Sequence, residues 1–161
     1  MRDPMQIMKA TQEHLQTVKD ITHKTISEIY PHYYPKGVVD FFISHHKVEN
    51  IMKDIDAGIV YLMMNDETEI GTVTLRGNEI CRLFVLPQYQ HQGVGRQLLD
   101  FAETMISERY TEIVIDASLP AKQMYMKRGF VATDTQKIVT DNGDVLVYDV
   151  MKKSIKICER E

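Results

Sequence analysis

The clearest chemistry in this chain of 161 residues lies in one stretch, Leu83 to Glu103, LFVLPQYQHQGVGRQLLDFAE. An apolar run stops at Pro87, passes through glutamines and opens a helix with Gly93 and Gly95. Glycine costs a helix about 1 kcal/mol relative to alanine, so two in a first turn mark a place where something must approach the backbone closely. A helix N-terminus presents unpaired N–H groups and roughly half a positive charge, which makes an anion, above all a phosphate, the ligand such glycines admit. Two glycine-loop templates fail here. A P-loop ends in Gly-Lys-Ser/Thr, but Gly95 is followed by Arg96 and Gln97. The dinucleotide fingerprint needs a third glycine where Leu98 stands, although Asp116 lies at the distance such a site would use. What remains is Gln90-x-x-Gly93-x-Gly95 between a strand and a helix.

The elements that must position this loop follow from periodicity. MQIMKAT reads as a first short strand, and Thr11 as the N-cap of a helix with Leu15, Val18, Thr22, Ile26 and Ile29 at helical spacing. Pro31 and Pro35 break that pattern, and a second helix covers Val48 to Asp56. On this reading His45 and His46 belong to a solvated helix start. IVYLMMN, EIGTVTLR and EICRLFVL are strands joined by short turns, hence antiparallel hairpins. In the third, alternation places Ile80, Phe84 and Leu86 on one face and Cys81, Leu83 and Val85 on the other. A strand apolar on both faces belongs at the centre of a sheet. The helix after Gly93 buries Val94, Leu98, Phe101, Ala102, Met105 and Ile106. EIVIDA is a strand parallel to the one before that helix, and SLPAKQMYMKRGF a helix that Ser118 can cap and Gly129 ends. Two strands around the Asn142-Gly143 turn close the chain. The expected fold is therefore mixed α/β, in the order β-α-α-β-β-β-α-β-α-β-β. It is a mostly antiparallel seven-stranded sheet with helices on both faces, within one domain spanning residues 1–161.

Here the sequence resembles the GCN5-related N-acetyltransferase (GNAT) family. LFVLPQYQHQGVGRQLL is similar to its strand-to-helix acyl-CoA signature. SLPAKQMYMKRGF is similar to its later N-x-x-A-x-x-x-Y-x-K-x-G-F signature, matched by Ala121, Tyr125, Lys127, Gly129 and Phe130. The element order is also the family's, so the likeness covers essentially the whole chain. The resemblance implies that the backbone from Gln92 through Gly93, Val94 and Gly95 to Arg96, with Gln90 and His91 before it, holds the pyrophosphate of acetyl-CoA. It implies as well that the strand at Leu83, Phe84 and Val85 splays from its neighbour and pairs with the pantetheine arm. Ser118, Tyr125 and Lys127 complete the implied coenzyme site. His91 departs from a frequent glycine and Ser118 from the usual asparagine.

The implied reaction moves an acetyl group to a primary amine by direct attack in a ternary complex. An amine with pKa near ~10 must lose a proton before attacking, and the leaving thiolate must gain one. Tyr125 lies where the family's general acid does, and a phenol is still protonated at neutral pH. Glu79 stands at the offset of the base in histone-type members; Asp116 and a water chain are the alternatives. The aromatic segment SEIYPHYYPKG, with Glu28, Tyr30, Tyr33 and Tyr34, serves as substrate lid or as packed surface loop. No cysteine or serine shows an activated-nucleophile pattern. A non-catalytic acyl-CoA-binding module is the competing function, one that keeps the glycines and has no need of Tyr125.

Composition narrows the partners. Nineteen basic and twenty-three acidic residues are interspersed, with net charge −4, which argues against a nucleic-acid footprint. No apolar run reaches the ~18 residues of a membrane span, and the start MRDPMQIMKAT lacks a signal-peptide core. A cytoplasmic protein acting on a small-molecule or peptide amine is expected, without metal and away from membranes, and the resemblance allows a homodimer. Cys81 and Cys158 are too far apart in sequence for a zinc-type cluster, and Cys81 reads as a small buried hydrophobe.

Overall fold

The computed structural model describes residues 5–157; Cys158 lies outside them. In chain order the elements are β1 (Gln6–Lys9), α1 (Leu15–Ile29), α2 (Lys36–His45), α3 (Val48–Asp56), β2 (Val60–Asn65), β3 (Thr68–Arg76), β4 (Glu79–Val85), α4 (Val94–Ser107), β5 (Glu112–Ala117), α5 (Leu119–Lys127), β6 (Val131–Val139) and β7 (Val145–Ser154). They form one seven-stranded sheet in the order β1-β2-β3-β4-β5-β7-β6. Every neighbouring pair is antiparallel except β4 and β5. The helix α4 between those two strands forces the crossover that makes them parallel.

Two hydrophobic clusters sandwich the sheet. One packs Val94, Leu98, Leu99, Ala102 and Ile106 of α4 against β3, β4 and β5. The other gathers Val18, Ile21 and Ile26 of α1, Val38 of α2 and Ile51 and Ile55 of α3 over Leu62 and Phe84. Val18, Ile26 and Ile51 retain no exposed surface; burying such a side chain is worth roughly 1.5–3 kcal/mol.

The structure corrects the sequence reading at several points. Pro35 does not merely break a helix: it occupies the N-cap of α2 in extended conformation (φ −69°, ψ 164°) and starts a helix where a loop was expected. His45 and His46 thus end α2 rather than start α3, and His46 is buried, 6% exposed. Thr11 leads first into a 3-10 turn, Gln12–His14, its N–H donating to His14 Nδ1 at 3.0 Å. Strand β4 does not alternate simply. Its register on β3 slips from Thr74↔Arg82 to Leu75↔Ile80, leaving Cys81 as a bulge. Past that bulge the pleat inverts. Ile80 joins Leu83 and Val85 on the α4 side, while Phe84 faces α1, and Cys81 is half-buried.

Candidate active site

Strands β4 and β5 pair only at Glu79↔Val114 and Ile80↔Ile115. Beyond these pairs β4 continues on β3 and β5 continues on β7, so the two parallel strands part company immediately after the Cys81 bulge. A bulge bends its strand and increases its twist. The parting opens a cleft of about 930 Å³ running from the N-terminus of α4 to α2 and β7. Leu83, Phe84 and Val85 line it, with β4 main chain facing the gap on the β5 side. The Val85 carbonyl is held by Gln90 Nε2 at 2.9 Å and Thr25 Oγ1 at 3.3 Å.

At one end of the cleft His91, Gly93, Gly95 and Arg96 form the rim. His91 (φ 62°) and Gly93 (φ 83°) are both left-handed, the alternation that turns successive N–H groups into an anion-binding concavity. Gly93 is the N-cap of α4 and no side chain caps it; backbone pairing begins with Gln97 N–H to Gly93 O at 3.1 Å. The amides of Val94, Gly95 and Arg96 are thus the helix's unpaired donors. A β-carbon on Gly95 would meet only Met124 Sδ at 3.4 Å and Val85 Cγ2 at 4.0 Å, ordinary contacts. Packing within the protein does not require that glycine, whereas a phosphate against the amides would. Val94 itself is buried in the core, and Gln92 turns back to the Gln88 carbonyl at 3.2 Å.

Tyr125 lies on the wall formed by α5, only 5% exposed, its ring edge-on to Phe130 at 5.7 Å. Burial, reinforced by Tyr30, pushes its phenol above the ordinary tyrosine value, so it is protonated at neutral pH. Ser118 stands at the N-cap of α5 without capping it; its hydroxyl accepts instead from Tyr30 Oη at 3.3 Å. Leu119 N–H, the first helical amide, donates to Tyr34 Oη at 2.7 Å. Tyr30 and Tyr34 are therefore a clamp joining the α1–α2 segment to α5. Burial pushes the Tyr30 phenol up to about 12 despite the Ser118 bond. Of the four residues proposed for the acceptor, only Tyr30 lines the cleft. Glu28 and Tyr33 are exposed outside it, Tyr33 to 50%. Lys127 is exposed at the cleft rim, beside Arg128, which pairs with Asp100 at 2.8 Å and with Glu103.

The other end of the cleft carries Glu79 and Asp116. Burial first, then the charge of Asp116, raises the Glu79 carboxyl against the opposing pull of Arg76. Burial raises Asp116 as well, with His45 opposing. A carboxylate with a raised pKa is a stronger proton acceptor than an ordinary one. Behind them lies a polar network that sequence reasoning missed. Arg82, 4% exposed, gives Nη2 to Asp54 Oδ2 at 3.2 Å, Nη1 to Thr74 Oγ1 at 2.9 Å and Nε to His46 Nδ1 at 3.2 Å. Asp54 also receives Arg76. Burial, then Arg82, His45 and His23, lowers His46 to about 2, so the ring is neutral and its proton resides on Nε2. The signal in the sequence was Arg82 itself, a charge within EICRLFV that a central strand tolerates only with partners. Burial and Glu79 push the Cys81 thiol up to about 11, the opposite of an activated nucleophile.

Among the described residues no group of three or more His, Cys, Asp or Glu is arranged to hold a metal ion, and no helix is long and apolar enough to cross a membrane. A family model described as an acetyltransferase (GNAT) domain matches residues 29–150. Among solved structures, a GCN5-related N-acetyltransferase from Rhodopseudomonas palustris superposes with TM-score 0.87 at 21% identity, covering 96% of this chain and 98% of that one. PaiA N-acetyltransferase from Thermoplasma acidophilum, solved in complex with coenzyme A, superposes with TM-score 0.74 at 22% identity over 94% and 99% of the two chains. YncA from Salmonella typhimurium, solved with its cofactor acetyl-CoA, gives TM-score 0.73 at 14% identity over 99% and 98%. No curated protein sequence matches significantly.

Proposed function

Because the chain belongs to the GNAT acetyltransferase family, we propose that it transfers an acetyl group from acetyl-CoA to a primary amine by direct attack within a ternary complex. The observation that carries this reading is the meeting of two features in one cleft. At one end is a glycine-opened helix terminus whose uncapped amides fit a diphosphate; in the wall is the buried, protonated Tyr125. When bound, acetyl-CoA supplies the acyl thioester. The Val94, Gly95 and Arg96 amides hold its phosphates, and the concavity at His91 and Gly93 shapes their seat. The β4 main chain at Leu83 to Val85, which the splay leaves without a β5 partner, receives the pantetheine arm as an added strand. Ser118, with its hydroxyl engaged by Tyr30, contributes to the wall rather than a dedicated contact.

Glu79, with Asp116 beside it, accepts a proton from the incoming ammonium directly or through water, and Tyr125 returns one to the departing sulfur. The rest is positioning: the cleft holds donor and acceptor in line while backbone dipoles stabilise the developing charge. The test is the thermal unfolding midpoint with acetyl-CoA, coenzyme A or NADH. At ~100 times the dissociation constant, binding adds about 2.7 kcal/mol, roughly 5–11 °C for a domain of this size. A shift with acetyl-CoA and none with NADH is expected; no shift at saturating acetyl-CoA overturns the reading. A shift without turnover on any amine leaves a coenzyme-binding module.

A further inference from the structure

We propose that the acceptor is a primary monoamine carried on an apolar body, of the arylalkylamine type, and not an amino acid. This rests on the acetyltransferase reading and specifies the acceptor for the same cleft. The end of the cleft beyond the β4–β5 junction is walled by Phe41 and Phe42 of α2, Ile138 of β6, and Leu146 and Tyr148 of β7. Phe41 stacks on His45 at 5.8 Å and lies 5.8 Å from Phe42. These residues extend the cluster that holds Tyr30 and Phe84, so the wall is continuous with the core and suits an aryl or alkyl group.

Carboxylates outnumber the cations at this end: Asp54, Glu79 and Asp116 stand against Arg76 and Arg82. Glu79 and Asp116 line the chamber, and both raise the phenol of Tyr148, after burial, by their proximity. The cations at this end are already engaged: Arg82 pairs with Asp54 at 3.2 Å, and Arg76 pairs with the same carboxylate. His45 and His46 are lowered first by burial and then by Arg82, and remain neutral. An ammonium entering the chamber meets two carboxylates. A carboxylate or phosphate on the same molecule would meet them as well, with no unengaged cation among the described residues at this end to compensate. Asp54 serves both arginines and offsets one of their two charges, and Glu79, which also feels Arg76, offsets the other.

The test compares kcat/KM for phenethylamine, phenylalanine and spermidine on the full chain with acetyl-CoA, following thiol release. Phenylalanine shares the aryl body of phenethylamine and differs by the carboxylate alone. Phenethylamine is expected to exceed phenylalanine by at least about tenfold, because the carboxylate would meet Glu79 and Asp116. It is expected to exceed spermidine as well, because the further ammonium groups would be desolvated against the apolar wall of Phe41, Phe42, Ile138 and Leu146. Equal or better use of phenylalanine or spermidine overturns the acceptor class while leaving acetyl transfer intact. If no amine is consumed although acetyl-CoA raises the unfolding midpoint, acetyl transfer fails and this inference falls with it. A second measurement uses Phe41→Lys, at a partly exposed position. A cation there is expected to cut the preference for phenethylamine over phenylalanine by about tenfold, with the acetyl-CoA-induced midpoint shift kept. An unchanged preference overturns the electrostatic basis of the proposal.

Discussion

In the proposed mechanism Tyr125, a phenol protonated at neutral pH and raised further by burial, returns a proton to the departing thiolate. Replacing it as Tyr125→Phe is expected to lower kcat by about 10²-fold or more while the dissociation constant of acetyl-CoA stays the same. Unchanged turnover would remove the general-acid role. His46 makes a second prediction. Its folded value is about 2, against roughly 6.5 when unfolded, so below pH ~6.5 the unfolded chain takes up a proton that the folded chain refuses. The stability His46 contributes is therefore full above that pH and declines as pH falls. Between pH 7.5 and 5.5 about 1 kcal/mol is expected to be lost, and urea midpoints of the wild type and His46→Gln read the difference. A variant that loses as much as the wild type would assign the slope to other groups. The glycines and Tyr125 were legible in the sequence because each sits in a local pattern. The charge of Arg82 stood out in an apolar strand, but its partners His46 and Asp54 did not, since these bonds join residues 36 and 28 positions apart. Composition likewise marked the aromatic segment without saying that Tyr30 and Tyr34 turn inward while Tyr33 stays exposed.

At the scale of the element, α4 separates a glycine required by the backbone from one that packing within the protein does not require. Gly93 is left-handed at φ 83°, so a side chain there strains the backbone. Gly95 is helical, and a β-carbon on it finds only ordinary contacts. Gly95→Ala should therefore raise stability by up to about 1 kcal/mol, yet obstruct the phosphate and weaken acetyl-CoA by at least about tenfold. Isothermal titration alongside thermal melting reads both; unchanged affinity would mean the glycine serves only the turn. Helix α1 offers a simpler case. Thr22 is fully buried and its hydroxyl has no partner, so the near-isosteric Thr22→Val should stabilise by about 1 kcal/mol or more, and a midpoint no higher than wild type would show the hydroxyl to be satisfied. Helices α1, α3 and α4 announce themselves by a single apolar stripe. Helix α2 does not: GVVDFFIS is apolar on several faces, and Pro35, read as a stop, is its N-cap. The bulge at Cys81 was equally hidden, because one unpaired residue leaves no mark on an apolar strand.

Across the whole molecule, the cleft exists because the sheet is held at its ends and released in its middle. Only two register pairs join β4 to β5, and the far side is closed by a contact between distant parts of the chain. The β6–β7 turn reaches α2, where Asp144 Oδ2 accepts from Gly37 N–H at 2.8 Å. The turn is braced by Thr140 Oγ1 to Asn142 Oδ1 at 2.7 Å and Asn142 Nδ2 to Asp144 Oδ2 at 3.0 Å. A β-carbon at Gly37 would overlap the side chains of both Asn142 and Asp144. Neither can withdraw without giving up these bonds, each worth roughly 0.5–1.5 kcal/mol, or more where a charge takes part. Gly37→Ala is therefore expected to destabilise by about 1–3 kcal/mol and to loosen α2 from β7, the two walls that carry Phe41, Phe42, Leu146 and Tyr148. The N-terminus of α4, proposed above as the diphosphate seat, lies at the opposite end and does not share this contact. KM for the amine should rise several-fold while the acetyl-CoA dissociation constant stays within about twofold, as expected for separate sites with no common partner. Equal loss of both would show that the strap shapes the cleft as one unit; no loss of either would show that α2 keeps its place without the turn.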